Sequence, residues 1–376
     1  MADEYIGAGN LWSVATNDPH LTGSAAEIQS TRLWKYVGEM SFWTQFMGPE
    51  GSFMPIIAKQ DLTKEKGEIV HFYLATPDDD APVRNDREIW GSEETTTLYQ
   101  DGVLIGLVRH GKKVDKPLSV QRTKIDIVNY LYEAQRQWWV DKGPDDMITK
   151  KLTGSDYEDS NGVDIGEAAT ANTNVVYGGD AVSTGSIDES DKLTPDLIWK
   201  LSEAARMGKI GSTSIRKIHP VSTAGGPCYI FVGSPYQIGD LKHQAGSAWE
   251  DYQKYANVRG PDNPLFVGTG NLAGQLPTPV GKLYGVLIYE YYNMPLTTTW
   301  GVGGDVAGAT GLLLGAEAGL FAHCYGPDWA TAGGWYDEYI GVAVKALMGF
   351  DKAYFNSLDN GVIAVKTAAK IHYTNT

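Results

Sequence analysis

The spacing of apolar positions changes several times along this chain, and each change predicts an element. Between residues 27 and 46, Ile28, Leu33, Trp34, Val37, Met40, Phe42 and Phe46 recur at helical intervals, and Gly48-Pro49-Glu50-Gly51 ends the pattern. Residues 68–74 are strongly β-prone, with aromatic and β-branched residues on both faces. A breaker segment, 76–86, carries Pro77, Pro82 and Asp78-Asp79-Asp80; residues 95–99 and 103–108 are then extended again. Asp101-Gly102 between them reads as a tight turn or a bulge, and Lys112, Lys113 and Lys116 close the arm. Thr123 and Asp126 are a capping pair for a helix whose apolar stripe is Val128, Leu131, Ala134 and Trp138. Gly143-Pro144 interrupts that helix, and Pro144 opens a second one carrying Met147, Ile148 and Leu152.

An arm that leaves the chain and returns over residues 68–152 must bury its apolar residues somewhere. That points to a chain built to reach its neighbours. Farther on, residues 153–195 read as polar surface loops with a short strand near 174–177. Thr194, Pro195 and Gly208 bound a helix, and 238–256 is a helical segment after Ser234-Pro235. Strands are expected at 228–232, 283–291, 341–348 and 361–367. Residues 306–325, dotted with Gly308, Gly311, Gly315 and Gly319, read as a tightly packed internal helix or a pair of strands. No repeat is visible, and the mixture is α+β.

Composition narrows the function. A length of 376 residues predicts two domains, or one domain with arms, and 42% hydrophobic content supports a full core. The net charge of -15 argues against gripping nucleic acid through a basic face, though not against enclosing it. Cys228 and Cys324 are too few for a disulfide framework and too far apart for a zinc site, so both are expected as buried thiols. Met1-Ala2-Asp3-Glu4 lacks the basic start of a signal peptide, and residues 1–25 read as a polar N-terminal arm. Glu317 within 306–325 argues against a membrane span.

The search for chemistry returns little. His20, His71, His110, His219, His243, His323 and His372 show no metal-ligand spacing. Gly208-Lys209-Ile210-Gly211-Ser212 lacks the phosphate-loop spacing, and neither Ser234 nor Ser247 sits in a nucleophile elbow. The acidic groups Asp145-Asp146 and Asp156, Glu158 and Asp159 match no calcium loop and read as solvated charge. No catalytic, cofactor or metal residue is assigned. Eleven Trp and 21 Tyr suit interfaces, and equally a sugar-binding cleft served by acidic residues. A carbohydrate-binding or carbohydrate-active protein is therefore kept as the alternative.

The order of N-terminal arm, short helix, extended arm, long helix, α+β body and final strand resembles the Hong Kong 97 capsid fold of tailed bacteriophages. Local sequence is similar to the major capsid proteins typified by phage N-four. The resembling residues are Gly91-Ser92-Glu93-Glu94 with Tyr99, Val103-Leu104-Ile105, Leu107-Val108-Arg109-His110, and Trp138-Trp139 before Lys151-Leu152-Thr153-Gly154. Farther along are Gly285-Val286-Leu287, Tyr289-Glu290 with Asn293-Met294-Pro295, Leu313-Leu314-Gly315-Ala316, and Gly361-Val362-Ile363-Ala364-Val365 with Thr367-Ala368-Ala369. The likeness runs from about Leu33 to Lys370, and residues 155–190 are the least family-like.

The resemblance implies an N-arm and short helix (1–48), an E-loop arm (49–117), a P-domain with spine helix (118–195), an A-domain (196–350) and a C-terminal return to the P-domain (351–376). It implies a non-enzymatic, cofactor-free shell subunit. Hexamers and pentamers of it would enclose double-stranded DNA in a virion assembled in the host cytoplasm. Scaffolding protein, portal and a decoration protein are the expected partners, with no membrane. A nanocompartment shell of the same fold is the nearer alternative. Expected intersubunit contacts are Ile69, Phe72, Leu74, Val103, Leu104 and Leu107; the expected core of the spine helix is Val128, Leu131 and Trp138.

Overall fold

A computed structural model describes residues 41–59, 67–75, 90, 93, 98–115, 127–223, 226–246, 249, 279–333 and 339–370. The expectations for residues 1–25, for most of the helix at 27–46, for the breaker segment 76–86 and for the Thr123/Asp126 cap lie outside them. Two large sheets carry the rest.

The first sheet has five strands in the order Met47–Gly48, Ile56–Lys59, Gly319–Gly333, Tyr339–Lys352, Gly106–Asp115. Helix α1 (Ile127–Lys142) and helix α2 (Pro144–Thr153) pack on it. Burial alternates along Tyr339–Lys352, so Ile340, Val342, Val344, Ala346 and Met348 face the helices. The buried stripe of α1 runs Leu131, Gln135, Trp139. It is thus turned one residue from the expected Ala134/Trp138 line. Leu131 is fully buried as expected; the side chain of Val128 lies outside the described residues. Trp138 is half-buried and stacks on His110 at 4.2 Å, while Trp139 fills the core.

Gly143 separates α1 from α2 because a Cβ there would run into the Trp139 carbonyl oxygen. Its own N–H still donates to that oxygen at 3.0 Å, so the chain turns without orphaning the end of α1. Pro144 then opens α2, and Gly154, in the left-handed region, closes it. Residues 43–46, at the end of the expected first helix, form a 3-10 turn. The Asp145 carboxylate, at the start of α2, anchors that turn by accepting from Ser41 Oγ and, at 2.7 Å, from the Phe42 N–H.

The second sheet has eight strands. Its spine is Gly281–Leu283, Val286–Glu290, Gly226–Gly233, Val306–Leu314, Val362–Ala368, Val175–Tyr177, with Leu296–Trp300 and Val221–Thr223 paired at the side. Helix α3 (Pro195–Met207) and helix α4 (Pro235–Ala245) cover one face, meeting Phe231, Ile288, Leu313, Ile363 and Val365. The other face, through Ile230, Val232, Leu287, Tyr289 and Leu312, joins the core of α1, α2 and Phe42-Trp43. Burial on both sides explains the continuous apolar runs of these strands. Both helices start as expected: Thr194 accepts from the Leu197 N–H, and Ser234 forms a capping box with Gln237.

Of the two readings of residues 306–325, the pair of strands holds and the helix does not: they belong to two strands in different sheets, joined through Glu317 at φ 58°. Gly308, Gly311 and Gly319 make room for aromatic rings, a Cβ on Gly311 lying 2.8 Å from Cζ of Phe231, and Gly315 makes room for Ile218. Two other local expectations are corrected. Residues 283–291 are not one strand, because Tyr284 (φ 48°) and Gly285 (φ 81°) make a two-residue turn between Leu283 and Val286. Cys228 is buried as expected, but Cys324 is only partly buried; neither is in a disulfide.

Candidate assembly surface

Strands Ile69–Ala75 and Leu98–Leu104 form a two-stranded antiparallel hairpin, and neither takes a third strand among the described residues. Asp101-Gly102 is neither turn nor bulge. The ladder runs unbroken, with Asp101 opposite Phe72 and Gly102 opposite His71. Glycine is needed there because a Cβ would sit 2.9 Å from Cγ2 of Ile69.

The pleat gives the hairpin two unlike faces. One carries Val70, Phe72 and Val103, with Leu74 and Tyr99 partly buried, against Ile57, Leu320, Ala322, Ala353 and Phe355 of the same chain. Lys59 lies over the Phe72 ring at 4.7 Å and donates to the His71 carbonyl at 3.2 Å. The Asp101 carboxylate accepts from the Tyr354 N–H at 2.9 Å, and burial raises its pKa. The opposite face leaves Ile69 47%, Tyr73 62% and Leu98 67% exposed. Among the described residues nothing covers that face, and neither strand has a partner on its other edge.

The six residues expected at intersubunit contacts therefore divide. Phe72 and Val103 are buried within the subunit, and Leu74 is partly buried on the same face. Ile69 points outward, with the partly buried Leu104 opposite it. Leu107 is outside the hairpin: it lies 46% exposed on Gly106–Asp115, the edge strand of the five-stranded sheet. Lys112 and Lys113 lie on that strand too, so they belong to the body and do not close an arm. Tyr73 and Leu98 were missed. Apolar residues occupy both phases of residues 69–74, so period two could not say which phase faces outward.

A second apolar patch surrounds a cleft of about 520 Å³ beside α3, where Trp199, Met207 and Tyr284 are exposed. No group of three or more potential metal ligands occurs among the described residues, and no described helix is long and apolar enough to cross a membrane.

Two sheets clamped on a broken helix, with a hairpin offering one finished and one open face, define a subunit made to be completed by others. The phage capsid protein family matches residues 20–371, and the chain belongs to it. It is 24% identical over 388 residues to the major capsid protein of Pseudomonas phage KPP25, covering 94% of this chain and 98% of that protein. The capsid protein of Ralstonia phage GP4 superposes with a TM-score of 0.74 at 24% identity, over 90% of this chain and 93% of that one. The subunit in the capsid asymmetric unit of cyanophage Pam1 gives 0.64 at 19% identity, over 88% and 92%. The fold is that of Hong Kong 97-type capsids. The chain is a major capsid protein of a phage head, a structural protein of the virion and not an enzyme.

Proposed function

We propose that copies of this subunit close into an icosahedral shell of hexamers and pentamers around double-stranded DNA, and that the hairpin is the clasp between neighbours. One observation carries the clasp: the outward face Ile69, Tyr73 and Leu98 is apolar, exposed and flanked by unpaired strand edges. Seated on an adjacent subunit, it would bury what this chain leaves open. Leu107 and Leu104 border that contact. Phe72, Leu74 and Val103 instead fix the hairpin to its own body. The net charge of -15 supports DNA that is confined without being held.

In this reading the hairpin is the E-loop. Taking the five-stranded sheet with α1 and α2 as the P-domain and the eight-stranded sheet with α3 and α4 as the A-domain departs from the expected bounds, since Gly319–Gly333 and Tyr339–Lys352 then join the P-domain and Val362–Ala368 the A-domain. The motif order favours the phage N-four branch of the family. Scaffolding protein, portal and a decoration protein are its expected partners. Electron microscopy of the protein expressed with its scaffold should show closed shells of uniform size. Amide exchange should then find Ile69–Ala75 and Leu98–Leu104 better protected in shells than in free subunits. Monodisperse monomers under all assembly conditions would refute the reading.

A further inference from the structure

Two Asn-Gly pairs occur in the chain, Asn161-Gly162 and Asn360-Gly361. In such a pair the glycine nitrogen has no Cβ beside it, so it can turn onto the preceding carboxamide with little hindrance. The sequence makes the two pairs alike, and the fold makes them different.

Asn360 leads into Val362–Ala368, a strand inside the eight-stranded sheet. Its Nδ2 donates to the Glu317 carbonyl at 3.1 Å, and its N–H donates to the Ala353 carbonyl at 2.9 Å. Gly361 is buried, and its carbonyl accepts from the Gly315 N–H at 2.8 Å. A Cβ on Gly361 would stand 2.6 Å from the Ala316 carbonyl oxygen, so the space a ring needs is taken. Asn161 and Gly162 are both exposed, on a turn whose ends are bridged by Glu158 and Asp164. A Cβ on Gly162 would meet only Glu158 Oε2, at 3.9 Å. The Asn161 Nδ2 lies 3.4 Å from the Asp159 carboxylate, too far to hold the carboxamide firmly. The Gly162 N–H donates to the Asp159 carbonyl at 3.2 Å, and this solvent-exposed bond opens readily. Other bonds keep the turn closed meanwhile. The Asp159 N–H donates to the Val163 carbonyl at 2.7 Å, and the N–H groups of Asn161 and Val163 donate to Asp159 Oδ1 at 2.8 and 3.0 Å.

We propose that Asn161 is a spontaneous modification site, converted to aspartate and isoaspartate through a cyclic imide with Gly162, while Asn360 is spared. Solvent water takes the proton of the Gly162 N–H, and the nitrogen attacks Cγ of Asn161 as the carbonyl electrons move to Oδ1. The two groups are neighbours in the chain, which supplies the proximity. Water returns a proton to Nδ2, the Cγ–Nδ2 bond breaks, the carbonyl re-forms and ammonia leaves. A second water then opens the imide. Breaking the new N–Cγ bond gives aspartate; breaking the original peptide bond leaves the chain running through Cγ, as isoaspartate. One carboxamide and one water become one carboxylic acid and one ammonia, with no change of oxidation state. The product adds a carboxylate to a turn that already carries Glu158, Asp159 and Asp164. Asp164 is also the partner, at 2.7 Å, of Lys151 on α2, so the altered turn pulls on a strut to the body.

Tryptic peptides of assembled particles, held in mildly alkaline buffer and sampled over time, test this. Peptide Leu152–Lys192 should gain an acid in place of an amide, and fragmentation should place it at Asn161 and not at Asn172 or Asn174. Protein isoaspartyl methyltransferase should label it. Asn360, in peptide Ala353–Lys366, should react at least about tenfold more slowly, because its amide must first give up a buried hydrogen bond. In urea the two rates should converge. Asn161→Gln, at an exposed site, should fold normally and lose the product at 161. An intact Asn161, equal rates at the two sites in particles, or a difference that persists in urea would each overturn the proposal.

Discussion

Strands Gly226–Gly233 and Ile69–Ala75 are built from similar residues, aromatic and β-branched at successive positions, yet they end in different states. Every residue from Cys228 to Gly233 is buried, because α3 and α4 cover one face and the α1–α2 core covers the other. Along the hairpin strand, Val70 and Phe72 are buried while Ile69 and Tyr73 remain open. A strand with apolar residues in both phases needs two covers. The body supplies both from its own chain; among the described residues the hairpin receives one. In the proposed clasp a neighbouring subunit supplies the other.

Breaking the body should have the largest effect. Lys352 and Asp359 pair at 2.6 Å with both side chains fully buried, so Lys352→Ala leaves the carboxylate without its counter-charge and should cost about 3–5 kcal/mol in urea unfolding. Trp139→Ala should cost about 3–5 kcal/mol through lost burial and a cavity. Trp138→Ala, at a half-buried site, should cost about 1–2 kcal/mol, so the pair of tryptophans reports which face of α1 is core. Equal losses would contradict the Leu131–Gln135–Trp139 stripe.

Acidity offers a gentler probe of the body. Burial above all, then Asp101 and Glu167 nearby, push Asp351 up to about 7, against the Lys352 N–H and Lys151. Burial likewise lifts Asp145 to about 6, opposed by the Ser41 hydroxyl and the Phe42 and Trp43 N–H groups. The folded chain then holds protons that an unfolded aspartate, near 3.8, releases. The stability these groups contribute is full below that value and is lost as pH rises through about 6 and about 7. Each should add a slope of at most about 1.4 kcal/mol per pH unit. Thermal melts of Asp351→Asn should lose its share of the slope; an unchanged profile would remove Asp351 as its source.

The smallest effect on folding is expected at the hairpin's open face. Tyr73→Lys with Leu98→Glu should change subunit stability by no more than about 0.5 kcal/mol.

What the sequence disclosed follows from how local each feature is. The starts of α3 and α4 were legible because their caps lie within three residues of the groups they satisfy. The helix break at Gly143-Pro144 was legible for the same reason. The glycines of 306–325 were not, since the side chains that require them, such as Phe231 against Gly311 and Ile218 against Gly315, lie elsewhere in the chain. The burial of Lys352 was hidden because Asn172, which accepts from its amine, stands 180 residues away. The hairpin's strands were visible, but its outward face was not, since that depends on which phase the body had already covered.

Sedimentation velocity of the Tyr73→Lys/Leu98→Glu variant beside the unmodified protein, both expressed with scaffold, tests the clasp most directly. The predicted result is wild-type shells, and a variant that stays as folded, soluble subunits with an unaltered melting curve. Variant shells forming in normal yield would contradict the claim that this face holds neighbours together.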